Sequence, residues 1–140
     1  VMGIVCPQSH PLLGLVSLLA PALAVGNTVV TVPSELAPLV ATDLYQVLET
    51  SDVPAGAVNI ITGSRVELAQ ELARHDNVDA IWCAGHLELT AQVESLSTGN
   101  LKQTWALAGE RDWFDPGVAQ GRAFLRRATQ IKNIWAPYGE

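Results

Sequence analysis

The chain has 140 residues, 49% of them hydrophobic and only 16% charged. That is the length of one domain with enough apolar mass for a real core, and it excludes an intrinsically disordered chain. A net charge of −6 argues against a nucleic-acid partner, and two cysteines, Cys6 and Cys83, are too few for a secreted disulfide framework.

Val1 to Cys6 is an apolar run stopped by Pro7, which predicts a buried strand. It opens without a cap, a turn or a polar leader, as a piece of a longer protein would. No basic leader precedes it, so the expected location is the cytoplasm. Pro11 to Val25 is apolar but shorter than the ~20 residues of a membrane span, and Ser17 and Pro21 interrupt it. No membrane partner is expected. A helix is predicted over Leu12 to Ala24, with Leu12, Val16, Leu19 and Leu23 as its inward stripe. Gly26 and Asn27 stop it. Thr28 to Val32 is a short β-branched strand before Pro33. Leu39 to Glu49 reads as a helix with Leu44, Val47 and Leu48 inward, and Val58 to Thr62 as a third strand. Ser64 and Glu67 form a capping-box pattern for a helix over Glu67 to His75. His75 would place a cation at that helix's negative end. Asp79 to Cys83 is a fourth strand.

Four alternations of short apolar strand and helix predict an α/β fold, a doubly wound, Rossmann-like parallel sheet with helices on both faces. Beyond Gly85 the pattern changes. Leu87 to Leu96 reads as a helix and Lys102 to Ala106 as a strand. Val118 to Arg127 reads as a last helix with a basic face of Arg122, Arg126 and Arg127, and Thr129 to Trp135 as an isolated terminal strand. The chain thus divides into residues 1–90 and a C-terminal extension, 91–140.

Several blocks, in order, resemble the cofactor domain of aldehyde dehydrogenases. They are Leu19 to Ala24 with Gly26 to Val30, Pro33-Ser34-Glu35, Val53 to Gly56 with Val58 to Gly63, and Val78-Asp79. The end, Ala128 to Trp135, resembles that family's oligomerisation strand. More narrowly, Asp112-Trp113, Phe124 to Arg127 and Pro137-Tyr138-Gly139 resemble the degenerate C-terminal region of family-sixteen aldehyde dehydrogenases. The resemblance implies a parent that oxidises aldehydes to carboxylic acids with NAD(P).

Measured against that family, the positions that would serve cofactor and chemistry are altered. The oxyanion Asn position holds Ser9. The ribose-contacting Lys position holds Val32, which has no hydrogen bond to offer, whereas Glu35 is retained. The glycine motif reads Gly85-His86-Leu87-Glu88-Leu89-Thr90, keeping Gly85 and losing its last glycine to Thr90. The Glu-Leu-Gly-Gly block does not occur, and neither Cys6 nor Cys83 aligns with the family's nucleophile. The resemblance therefore implies a non-catalytic, structural segment without a cofactor of its own. Its partners would be the parent's catalytic unit or a second copy, met through Ile131, Asn133 and Trp135.

Two rival readings stand beside it. One is a degenerate cofactor domain that still binds NAD weakly. The other is a small zinc- or ligand-binding module, with Cys6, His10, Cys83 and His86 converging at the carboxyl ends of neighbouring strands. Trp105, Trp113, Trp135 and Tyr138 crowd the last third and are expected in core or interface packing.

Overall fold

Short runs of β-branched and aliphatic residues form the strands because their side chains fill both faces of a covered sheet. The structure, a computed structural model, describes residues 1–138, so Gly139 of the Pro137-Tyr138-Gly139 block lies outside the described residues. The strands are β1 (Met2–Val5), β2 (Val29–Val32), β3 (Val58–Ile60), β4 (Ala80–Gly85) and β5 (Gln103–Ala108). All pair in parallel, in the order β3-β2-β1-β4-β5, and Val5 of β1 lies between Val32 and Cys83. The fold class is the predicted one. Because β5 pairs with β4, the sheet runs across residue 90 without a break.

The helices are α1 (Pro11–Ala24), α2 (Leu39–Glu49), α3 (Arg65–Arg74), α4 (Leu87–Leu96), α5 (Pro116–Ala119) and α6 (Arg122–Arg127). Side-chain alternation along the strands sorts the core into two layers. Ile4 and Trp82 pack with α1, α2 and α6 on one face, and Val5, Ile81 and Cys83 with α3 and α4 on the other. Trp82, Trp105 and Phe124 meet edge to face, with the two indoles 4.9 Å apart. Trp113 is also in this core, whereas Trp135 and Tyr138 are exposed.

Several expectations are corrected. The inward face of α1 is Leu15, Leu18, Leu19 and Ala22, with Leu12 and Val16 exposed. The helix is apolar nearly all round, so periodicity alone does not choose its face. Gly14 settles it: a Cβ there would sit 2.3 Å from Pro7 Cγ, so only glycine lets α1 settle on that ring. Val47 of α2 is exposed as well. Ser64 caps α3 by position, but its side chain makes no capping bond and Glu67 is exposed. Cations at the α3 C-terminus are Arg74 in its last turn and Lys102, whose Nζ donates to His75 O at 2.7 Å and Leu72 O at 3.3 Å. His75 Nδ1 instead accepts from the Asn77 N–H. The last helix is broken into α5 and α6 at Gln120 and Gly121, whose φ of 110° belongs to glycine. Residues 129–138 form no strand within this chain, and Ile131, Asn133, Ile134 and Trp135 are exposed. An edge strand needs a sheet edge to join, and this segment pairs with neither edge of the sheet, β3 or β5. No helix among the described residues is long and apolar enough to cross a membrane.

Candidate functional site

In an open parallel sheet the ligand crevice lies outside the carboxyl ends of the strands, where the strand order reverses. Here that point falls between β1 and β4. The residues leaving those ends are Cys6 to Ser9 on one side and Gly85 and His86 on the other.

The group between them is the side chain of Arg65, which lies in none of the family motifs. It is 5% exposed. Its Nε donates to Cys6 O at 2.9 Å, and its Nη2 donates to Ala84 O. The guanidinium thus ties the ends of the two central strands together. Gly85 makes room for it, since a Cβ there would lie 2.8 Å from Nη2 and 3.2 Å from Nη1. The surviving glycine of the altered motif therefore receives a side chain of the protein itself. Burial pulls the Arg65 pKa down, and the neighbouring Cys83, Cys6 and Glu35 push it back up. A guanidinium stays charged in such a setting.

The predicted positions arrange themselves around this group. Glu35 is exposed, and its Oε2 accepts from the Arg65 backbone N–H at 3.1 Å, so it supplies the α3 cap that Ser64 does not. Val32 is buried at the end of β2. Thr90 is buried, and its hydroxyl donates back to the carbonyls of His86 and Leu87 within α4. Ser9 is exposed in the turn between β1 and α1. Beside it, Gln8 Oε1 accepts from Ser34 Oγ at 2.7 Å and from the Leu36 N–H, which pins that turn to the loop after β2.

The four candidate metal ligands do not converge. Cys6 belongs to the α1 face of the sheet and Cys83 to the α3 face. His86 Nδ1 accepts from the Leu89 N–H and caps α4. His10 stands in a left-handed conformation, φ 50°, with its ring edge-on to Phe114. Among the described residues no group of three or more His, Cys, Asp or Glu is placed to hold a metal ion. Burial pushes the Cys6 thiol up to about 12, against the lowering effects of its hydrogen bond to Thr31 and of Arg65. Burial pushes Cys83 up to about 11. Both are thiols at neutral pH, the opposite of an activated nucleophile.

A cavity of about 320 Å³ opens over Arg65, with Gln8, Ser9, His86, Arg111 and Trp113 among its walls. Arg111 is anchored by a bond from Nη1 to Val118 O and lies over the Trp113 ring. A dinucleotide's pyrophosphate needs close backbone approach at the glycine turn, and that approach at Gly85 is taken by Arg65.

Arg65 did leave one mark in the sequence. A cation at the first position of a helix opposes the dipole, so a basic residue directly after a Ser cap is a residue held there for another reason. Its partners lie 59 and 19 residues away, and no local spacing reveals them.

Comparison with known proteins agrees with the fold. Residues 1–113 match the model of the aldehyde dehydrogenase family. The chain is 36% identical over 103 residues to betaine aldehyde dehydrogenase of Bacillus subtilis, an alignment covering 74% of this chain and 21% of that one. Crystal structures of aldehyde dehydrogenases superpose closely. KauB of Pseudomonas aeruginosa gives a TM-score of 0.74 at 32% identity, over 77% of this chain and 22% of that one. A Pseudomonas syringae enzyme complexed with NAD+ and octanal gives 0.73 at 31%, over 75% and 22%. The chain spans about a fifth of the length of these relatives. Matched over most of its residues, the chain belongs to the aldehyde dehydrogenase family.

Proposed function

We propose that this chain is a non-catalytic, structural aldehyde-dehydrogenase-like unit. It corresponds to the degenerate C-terminal region of a family-sixteen enzyme whose intact unit oxidises aldehydes to acids with NAD(P). Its work is to pack on that catalytic unit or on a second copy, through the exposed segment that holds Ile131 and Trp135. The observation that carries the reading is Arg65 seated against Gly85 across the switch-point crevice. Val32, Thr90 and the two protonated buried thiols support it. The retained Glu35 and Gly85 favour the second reading, a cofactor domain with weak residual NAD affinity.

Calorimetric titration with NAD decides between them. The first reading expects no binding tighter than about 1 mM and no aldehyde-dependent NADH formation. A micromolar dissociation constant establishes the second. NADH formation abolished by Cys6→Ala or Cys83→Ala overturns the non-catalytic assignment.

A further inference from the structure

Arg65 is a buried charge whose neutralisation is incomplete. A guanidinium carries five N–H donors, and two are spent on the Cys6 and Ala84 carbonyls. The ion pairs among the described residues are Val1 with Asp79 and Arg74 with Glu71, so no carboxylate pairs with Arg65. Glu35 meets the backbone N–H of Arg65, not its guanidinium. Glu35 favours the charge from a distance, but a buried cation without a direct ion pair is costly and leaves room for an anion to lower that cost. Arg65 is among the residues that line the cavity of about 320 Å³ described above.

The walls of that cavity narrow the choice of anion. Arg111 adds a second guanidinium, and α4 begins after His86 at the same rim, its positive end offset in part by Glu88 in the first turn. Glu110, exposed at the mouth, repels a doubly charged ligand more than a singly charged one. Leu107, Ala84 and Trp113 are buried apolar surfaces that suit an uncharged body behind the charge. A carboxylate also matches the planar fork of a guanidinium.

We propose that the cavity over Arg65 binds a small organic monocarboxylate, with the carboxylate on the Arg65 guanidinium and the apolar body against Trp113. This goes beyond the structural role above and does not depend on it, because the probe is not the cofactor. The site would let the unit sense a small acid at the junction of its two central strands.

Calorimetry on the 140-residue chain tests it with benzoate, and with inorganic phosphate at matched ionic strength. Saturable one-to-one binding of benzoate is expected, with phosphate weaker. Arg65→Met should weaken benzoate at least about tenfold, the effect of losing a charge-assisted bond. Absence of saturable benzoate binding overturns the proposal, as does undiminished binding by a folded Arg65→Met. Phosphate binding as tightly as benzoate overturns the choice of a monocarboxylate. Should Arg65→Met fail to fold, nitrogen-15 NMR of the unaltered chain gives the answer. The Nε–H resonance of Arg65, assigned through Arg65→Lys, is expected to move with benzoate, and an unmoved resonance overturns the site.

Discussion

Arg65 and Gly85 act as one unit, because the space a Cβ would need at Gly85 is where the guanidinium lies. Gly85→Ala should therefore cost about 1–3 kcal/mol, the usual range for overpacking. In an Arg65→Met background the same change should cost much less, since the group it meets is gone. A double-mutant cycle from urea unfolding measures that coupling, and additivity within about 0.5 kcal/mol would contradict the contact. Gly14 gives a sharper case, since its neighbour is the rigid ring of Pro7 at 2.3 Å. Alanine is the better helix former by about 1 kcal/mol, so a stabilised Gly14→Ala would show that propensity outweighs packing there. We expect net destabilisation, because a proline ring cannot move aside as a side-chain tip can. The thiols set a pH effect. Cys6 at about 12 and Cys83 at about 11 both stand above their unfolded value of 9.0. The unfolded chain thus loses these protons first, and stability is full below pH 9 and falls as pH rises toward 11. The slope approaches about 1.4 kcal/mol per pH unit for each thiol. Urea midpoints measured from pH 8 to 10.5 should show this decline, and Cys6→Val should make it shallower. Ser9, Val32, Glu35 and Thr90 could be named from sequence because motifs are local. What each side chain does could not, since Glu35 caps a helix 30 residues on.

Elements followed the sequence wherever an apolar period was bounded by turn residues. The helix over Leu87 to Leu96 lies where the periodicity puts it, and each strand is displaced by a residue or two. Expectation and structure part where a segment's form depends on what it meets. Thr129 to Trp135 alternates like a strand, yet alternation states only that a sheet edge would accept it. In this chain the segment hangs beyond Ala128, whose carbonyl accepts from Asn27 Nδ2 at 2.8 Å. Thr129 still donates from its hydroxyl and its N–H to Arg126 O, and Ile131, Ile134 and Trp135 beyond it are each about nine-tenths exposed. Truncation after Thr129 keeps these ties and, among the described residues, removes only exposed ones, of which Lys132 acts weakly on Asp79. The urea midpoint of the monomer should stay within about 0.5 kcal/mol equivalent, as for surface changes. Association with a second copy or with a catalytic unit should be lost, read by light scattering across a concentration series. A stability loss of several kcal/mol without any change in association would mean that the tail packs on its own chain.

Over the whole molecule, the order β3-β2-β1-β4-β5 makes β1 and β4 the mechanical centre. Both are covered on both faces, and Arg65 clasps their carboxyl ends. The α/β class was legible from alternation alone. The adjacency of β1 and β4 was legible too, but the full strand order was not, because right-handed crossovers fix the handedness of each step but leave the direction of winding to side-chain fit. One consequence is a gradient of local stability outward from the centre. β3 is a three-residue edge strand over which Asn59 is exposed and Ile60 half-buried. β5 is an edge as well, but it is longer, and the Trp82, Trp105 and Phe124 cluster braces it. Backbone amides open according to the packing that must be broken to expose them. Native-state hydrogen exchange should therefore protect Ile4, Val5, Ile81 and Trp82 longest, β5 next and β3 less, with residues 129–138 exchanging at once. Arg65→Met should shorten protection at Cys6 and Gly85 selectively, because it removes the bonds to the Cys6 and Ala84 carbonyls while leaving β3 untouched. Uniform loss across all five strands would instead make Arg65 a contributor to global stability alone and not a clasp between two strands.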